Sequence, residues 1–455
     1  MVFSNPVFVF MFFPITFLVY FLLKDKNKNA WLLLCSLFFY AWSGISFLLV
    51  LLFSVLINWI LGRYLGRRNK VALIVGVCFN LCLLGFFKYS VFFVENIMGI
   101  FGRENVIENI PFLSNIVLPV GVSFYTFQIL AYDIDVYFQK VAVQKSYSKL
   151  LLYVIMFPQL IAGPIVRYID VEAQIHKRRC DWDYVYYGLR RFIYGLSKKV
   201  LLADSLGALA EQIYAVGDGT LISWMLMLTY SLQIYFDFSG YSDMAIGMGK
   251  MLGFDFLENF DNPYHSKSIK EFWRRWHISL SSWFRDYLYI PLGGNRKGKL
   301  VTYRNLFFVF LATGLWHGAS WNFVIWGLWH GFFLIVERLG LGKVLDKIPV
   351  VLQRVYTLLI VGMGWLMFRT EDLQGNVASI ITLFKYKRSP IGEMAVLLEP
   401  KMLVCLMVAI LMCVLGTKKR LKSEFVRDVF AIILFVIVIL QISTSNFSPF
   451  LYFRF

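Results

Sequence analysis

Residues 271–300 read EFWRRWHISLSSWFRDYLYIPLGGNRKGKL, and residues 313–331 read TGLWHGASWNFVIWGLWHG. Three of the chain's five histidines, His277, His317 and His330, lie in these two runs, and His176 and His265 lie outside them. Around the three stand Trp273, Trp276, Trp283, Trp316, Trp321, Trp326 and Trp329. The first run is charged and holds no 20-residue apolar stretch, so it reads as a re-entrant or interfacial segment. The second is apolar and rich in glycine and tryptophan, so residues 305–338 read as a long helix or a helical hairpin. An ionisable side chain in a lipid-like interior is costly and marks a candidate functional site. Imidazole is also the side chain best suited to take and return a proton near neutral pH.

The composition sets these runs in a membrane. Of 455 residues 59% are hydrophobic, 18% aromatic and 16% charged, and mean hydropathy is +0.64. Soluble domains carry roughly 25% charged residues. The formal charge of +17, from 45 Lys and Arg against 28 Asp and Glu, is split into short runs between apolar segments. That is the pattern of cytoplasmic loops under the positive-inside rule, and it argues against nucleic-acid binding. Six cysteines are scattered; Cys78 and Cys82 are four apart on one helix face, an awkward geometry for a disulfide. No cysteine or histidine spacing suggests a metal site, and all six cysteines read as packing residues.

Each span needs about 20 apolar residues, and the sequence reads as about eleven to thirteen membrane spans. Residues 1–23 are apolar with basics only after them, so they read as a retained first span with its N-terminus outside. A polar break at Trp42-Ser43-Gly44 makes a hairpin of residues 29–64, and residues 71–101 hold one span or two. Pro119 and Gly121 interrupt the segment at 110–138, and FPQLIAGPI breaks the one at 149–168. Such irregular backbone belongs inside protein rather than against lipid. Residues 176–199 read as a cytoplasmic loop with an amphipathic interfacial helix. Residues 200–251 give about two spans, the second made too polar for a lipid face by Gln233, Asp237, Ser239, Ser242 and Asp243. Spans at 349–368, 401–416 and 425–442 complete the chain, and the KDKNK, GRYLGRR, HKRRC and KKRLK loops fall on the cytoplasmic side.

On a continuous helix Thr313, Gly314, Ser320 and Trp321 share the face of His317, and the small residues leave room for a ligand or for a neighbouring backbone. His277 follows Trp273 by four and precedes Ser281 by four. Arg274, Arg275 and Arg285 beside it would depress its proton affinity and can hold phosphates; a structural interfacial histidine is the other reading. His330, thirteen residues beyond His317, falls on the opposite face of a continuous helix and reads as packing. The turn PLGGNRKG at 291–298 lacks the phosphate-loop pattern. Asp237 and Asp243, six apart, do not align as a carboxylate pair on a helix.

Taken together, MVFSNPVFVFMFFP, LPVGVSFYTFQILAYDIDVY, FPQLIAGPI, DFSGYSDMAIGMGKMLGF, FWRRWHISLSSWFRDYLYIPLGGN and GLWHGASWNFVIWGLWHG, in order along nearly the whole chain, resemble the membrane-bound O-acyltransferase family. They are most similar to its branch of alginate O-acetyltransferase membrane subunits and D-alanyl transfer proteins of teichoic acid synthesis, and the alginate side fits better. The resemblance implies an all-α, polytopic helical bundle around a central tunnel. It implies one membrane domain over 1–455, with a catalytic region at about 115–335 and C-terminal spans at about 349–442. The family's buried histidine maps to His317 and its polar partner to His277, forty residues upstream. Arg274, Arg275, Arg285, Trp316 and Ser320 are then the candidate donor contacts. The implied donor is acetyl-coenzyme A as a substrate, with no resident cofactor and no metal. The implied partners are an extracytoplasmic acetyltransferase, a polysaccharide acceptor and membrane lipids, in a bacterial cytoplasmic membrane. D-alanyl transfer to teichoic acid, or glycan or lipid transport without chemistry, is the alternative. A transporter should show paired repeats, whereas here the histidines cluster in one region.

Overall fold

The computed structural model describes residues 1–103, 107, 110–161, 163–416 and 423–444. Among these residues the regular elements are helices. Five helices are long and apolar enough to cross a membrane: Ile45–Leu65, Lys70–Ile100, Trp321–Leu345, Val350–Phe368 and Glu424–Thr444. A sixth candidate, Ile391–Leu397 with Pro400–Leu415, is bent by 81°. The other segments read as spans in the sequence are shorter, broken or too polar for this description. The KKRLK loop lies outside the described residues.

The chain forms two compact units. The first comprises Met1–Leu189 and Ala245–Leu257. Its helices α1 (Asp25–Ala41) and α2 (Ile45–Leu65) meet at the expected turn, where Gly44 takes φ 144°. Residues 70–100 form one helix, α3 (Lys70–Ile100), rather than two spans. The amides of Asn58 on α2 and Asn80 on α3 bond reciprocally, at 3.2 and 2.8 Å, and so satisfy each other away from water. Helix α4 (Val122–Tyr137) begins after Gly121, as its sequence requires. Gly121 has φ 75°, and a Cβ there would stand 2.6 Å from the Leu160 carbonyl oxygen. Both the backbone angle and the close approach call for glycine.

The second unit comprises Arg190–Met244 and Glu258–Phe455. The amphipathic helix expected in the basic stretch is α5 (Trp182–Ser197), which runs on into a π-helical segment at Lys198–Ala203. The polar second span is α6 (Thr220–Met251). Its carboxylates are neutralised from the basic stretch. Lys199 Nζ lies 2.8 Å from Asp237, and Asp243 receives Lys198 at 2.6 Å and Arg191 at 2.9 Å. Asp237 and Asp243 are therefore structural counter-ions to three basics that composition alone assigned to a loop. Between residues 258 and 304 only short helices form, among them α7 (Ile269–Arg275) and α8 (Ile278–Phe284).

Residues 299–336 fold as a hairpin of α9 (Lys299–His317) and α10 (Trp321–Val336). Gly314 and Gly327 bring the two backbones together. A Cβ on Gly314 would lie 2.3 Å from the Phe323 carbonyl oxygen, and one on Gly327 would lie 2.3 Å from that of Phe310. A Cβ on Gly318 would lie 2.1 Å from the Phe323 ring. The space that these glycines open is thus filled by the neighbouring helix and takes no ligand. Gly85 on α3, by contrast, has nothing within 4 Å of a built Cβ. Gly327→Val is expected to destabilise the protein by about 1–3 kcal/mol through overpacking, while Gly85→Ala is neutral or gains up to about 1 kcal/mol of helix propensity. Thermal unfolding of both variants in detergent checks the contrast.

Candidate functional site

His317 is the last residue of α9, and Gly318 leaves the helix with φ −166° and ψ 158°. Ser320, with extended backbone, immediately precedes the first residue of α10. The helix therefore does not carry His317 round to Ser320 and Trp321, and the shared face expected from i+3 and i+4 spacing does not exist. His317 is 4% exposed. Its ring meets those of Trp326 at 4.8 Å, Trp316 at 5.0 Å and Phe368 at 5.3 Å, each nearly perpendicular. Phe368 ends helix α11 (Val350–Phe368).

His277 stands between α7 and α8 in a left-handed conformation, φ 43° and ψ 55°, and not on a helix face with Trp273 and Ser281 as its spacing suggested. It is fully buried. Burial, and not the neighbouring arginines, pushes its pKa down to about 3, so the ring is neutral at physiological pH. Phe238 of α6 packs edge-on against it at 4.6 Å, and Trp316 lies 6.0 Å from it. Trp316 is therefore in ring contact with both imidazoles. Two residues the sequence reading missed complete the surroundings. Asn259 Oδ1 lies 3.1 Å from His277 Nδ1, and Phe368 closes one side of His317. An asparagine in the charged run ENFDNPY carries no distinguishing signal, and Phe368 lies 51 residues from His317 in sequence.

The hairpin also corrects the placement of His330. It is not on the far side of one helix from His317; α10 folds back and both rings meet Trp326, with His330 at 5.2 Å. His330 is fully buried, stacked on Phe272 at 6.2 Å and edge-on to Trp273 at 5.2 Å. Neither of its ring nitrogens has a hydrogen-bond partner among the described residues.

Of the three candidate phosphate-binding arginines, Arg275 bonds Glu271 at 2.8 Å and lies 3.7 Å from Asp261. Arg285 pairs with Asp286 at 2.7 Å. Arg274 is exposed. Trp316 is buried beside the imidazoles, and Ser320 is half-buried at the hairpin turn.

Residues 136–370 match the family model described as MBOAT, membrane-bound O-acyltransferase family. The chain belongs to that family, and it is a multi-pass membrane acyltransferase. It is 40% identical to the protein named "Probable alginate O-acetylase AlgI" of Pseudomonas putida, across the whole of both chains. It is 35% identical to the peptidoglycan O-acetyltransferase of Helicobacter pylori, over all of this chain and 98% of that one. A teichoic acid D-alanyltransferase of Bacillus subtilis is 29% identical over 48% of this chain and 60% of its own length.

An unpartnered buried polar group contributes its desolvation cost, which an apolar residue of similar size removes. His330→Leu is therefore expected to leave the thermal midpoint unchanged or raised and to keep most acyltransferase activity. Comparison with wild type in the same detergent checks both.

Proposed function

We propose that the protein takes an acetyl group from acetyl-coenzyme A at the cytoplasmic face and passes it across the membrane for O-acetylation of an exported or cell-surface polysaccharide. His317 acts as the base, His277 assists, and an extracytoplasmic acetyltransferase partner receives or delivers the group. The two relatives that align over the full chain support this reading: their names differ in the glycan and agree on acetyl. D-alanyl transfer is the weaker reading, because the named D-alanyltransferase aligns with only half of the chain.

The single observation that carries the site assignment is the pair of buried imidazoles joined through Trp316. A neutral imidazole accepts the proton of an incoming hydroxyl as its oxygen attacks the thioester carbonyl. The tetrahedral intermediate collapses with loss of the thiolate. The proton held on the ring then passes to that sulfur, so that ester and free thiol are formed and the base is restored. Water is the competing nucleophile, and rings packed around His317 restrict it.

His317→Ala is expected to lower acetyl transfer by about 10²–10⁴-fold, the usual contribution of general-base catalysis, in protein that still inserts and folds. His277→Ala is impaired less, and His330→Ala least. Transfer of radiolabelled acetyl from acetyl-coenzyme A to the glycan fraction measures this; a folded His317→Ala protein working at the wild-type rate ends the assignment.

Arginine matches phosphate oxygens in bidentate fashion, and the proposed donor carries phosphates. Alanine at Arg274, Arg275 or Arg285 is expected to raise the donor KM more than it lowers kcat. The exposed Arg274 is the cleanest test, since Arg275 and Arg285 already face carboxylates. An unchanged KM in all three variants leaves them as ordinary positive-inside residues.

A further inference from the structure

The environment of His277 Nδ1 contains more than a histidine and an amide. Asn259 Oδ1 lies 3.1 Å from that nitrogen, 2.9 Å from Ser279 Oγ and 3.3 Å from the Ser279 backbone nitrogen. The backbone N–H can only donate. The amide atom facing it is therefore the oxygen, and the Nδ2 end points the other way, to Ser242 Oγ at 3.1 Å. This settles an assignment that is otherwise ambiguous for asparagine and histidine alike. An oxygen that accepts from Ser279 presents only an acceptor to the imidazole; Ser279 Oγ also lies 3.4 Å from Nδ1, but with its hydrogen directed at Asn259 over the shorter 2.9 Å it too offers only a lone pair, so Nδ1 carries the hydrogen. In a neutral ring the other nitrogen, Nε2, then holds the basic lone pair. The Asn259 carbonyl oxygen also accepts from the Ile278 backbone N–H at 3.0 Å, which holds the chain on the far side of His277 in place.

We propose that Asn259 is a positioning residue for acyl transfer: its side-chain oxygen holds His277 as the Nδ1–H tautomer and so makes Nε2 the nitrogen that exchanges a proton in the reaction. The proposal rests on the reading that His277 takes part in acyl transfer. The arrangement does for this imidazole what a carboxylate or carbonyl partner does for other functional histidines, fixing both the tautomer and the ring plane. An amide does so without a charge, so it orients the ring and leaves it neutral. The Ser242 hydroxyl on α6 anchors the amide in turn, so the ring's orientation is tied to a long helix as well as to the short segment that follows it.

The test has a readout that a merely structural role does not move. Full-length protein labelled with 15N-histidine is examined by solid-state NMR, and the His277 signals among the five histidines are assigned by their loss in His277→Gln. Nδ1 is expected to be protonated and Nε2 not; a His277 protonated at Nε2 overturns the proposal whatever the activity. In parallel, Asn259→Leu removes the acceptor and Asn259→Asp keeps an oxygen in its place. Asn259→Leu is expected to lose about ten- to a hundredfold in kcat, a part of what a general base contributes, with donor KM within about twofold. Asn259→Asp is expected to recover much of that loss, and its acid limb moves to higher pH because a carboxylate favours the imidazolium. Asn259→Leu at the wild-type kcat overturns the proposal. So does wild-type activity in His277→Gln, but with the Nδ1–H signal present that result places the failure in the proposed role of His277 and not in the hydrogen bond.

Discussion

The contact between Gly314 and Gly327 governs the geometry of the candidate site. Helices in lipid gain little from burying apolar side chains against one another, so small residues that let backbones approach closely do much of the packing. Here the approach is close enough that a single methyl group on either glycine would meet a carbonyl oxygen. That closeness sets where α10 lies against α9, and so where Trp326 lies against His317. Trp326 in turn touches His330, Trp273, Trp365 and Phe368. The aromatic surroundings of His317 thus depend on two residues that have no side chain.

A second constraint is the need to satisfy polar groups where water is absent. Helix α6 carries Asp237 and Asp243 into the interior of the second unit, and Lys199, Lys198 and Arg191 meet them there. The Lys199–Asp237 pair is almost wholly enclosed, with side chains 2% and 3% exposed. Lys199 also meets Asp204 at 2.6 Å, so removing the lysine strips a cation from two carboxylates at once, a far larger loss than the net worth of one pair. Some of the chain's basic residues are therefore internal, and their pairing explains how so polar a helix is held among apolar neighbours. The same helix supplies Ser242, at the root of the hydrogen bonds that reach His277 through Asn259.

Local grammar in the sequence disclosed much of the fold. The turn before Gly44, the helix start after Gly121, the polarity of α6 and the lack of a span between 258 and 304 all follow from residues adjacent to the feature they cause. The errors share one physical origin. Spacings of three, four and thirteen residues place side chains on faces only where one helix continues. The helix ends at His317, and His277 sits between two short helices with a left-handed backbone. The i−4 and i−3 neighbours of His317, Thr313 and Gly314, do share its helix, but the spacings that run past the helix end gave the wrong neighbours for both residues, and the wrong side for His330. Glycines beside His317 were read as room for a ligand or for a backbone, and packing chose the backbone. Asn259 was illegible because its importance lies in the direction of one oxygen, which depends on a loop closing over residues 18 to 20 positions away.

The two imidazoles at the centre solve different halves of one difficulty. His277 is kept neutral by the loss of water, and the same loss removes the solvent that would orient a buried ring. His277 regains orientation from an uncharged amide. His317 is confined by three rings that meet it edge to face, which restrains the plane of the imidazole. His330 has an aromatic enclosure too, yet no hydrogen-bond partner among the described residues and no group that fixes its tautomer. Burial and aromatic packing are thus common to all three and do not separate them. What distinguishes His317 is its place at the end of a helix, where the backbone turns away, and what distinguishes His277 is a directed hydrogen bond. A proton-transfer role needs a nitrogen of known identity in a known direction, and on that criterion the directed hydrogen bond at His277, rather than its hydrophobic surroundings, is the feature that bears on the proposed chemistry.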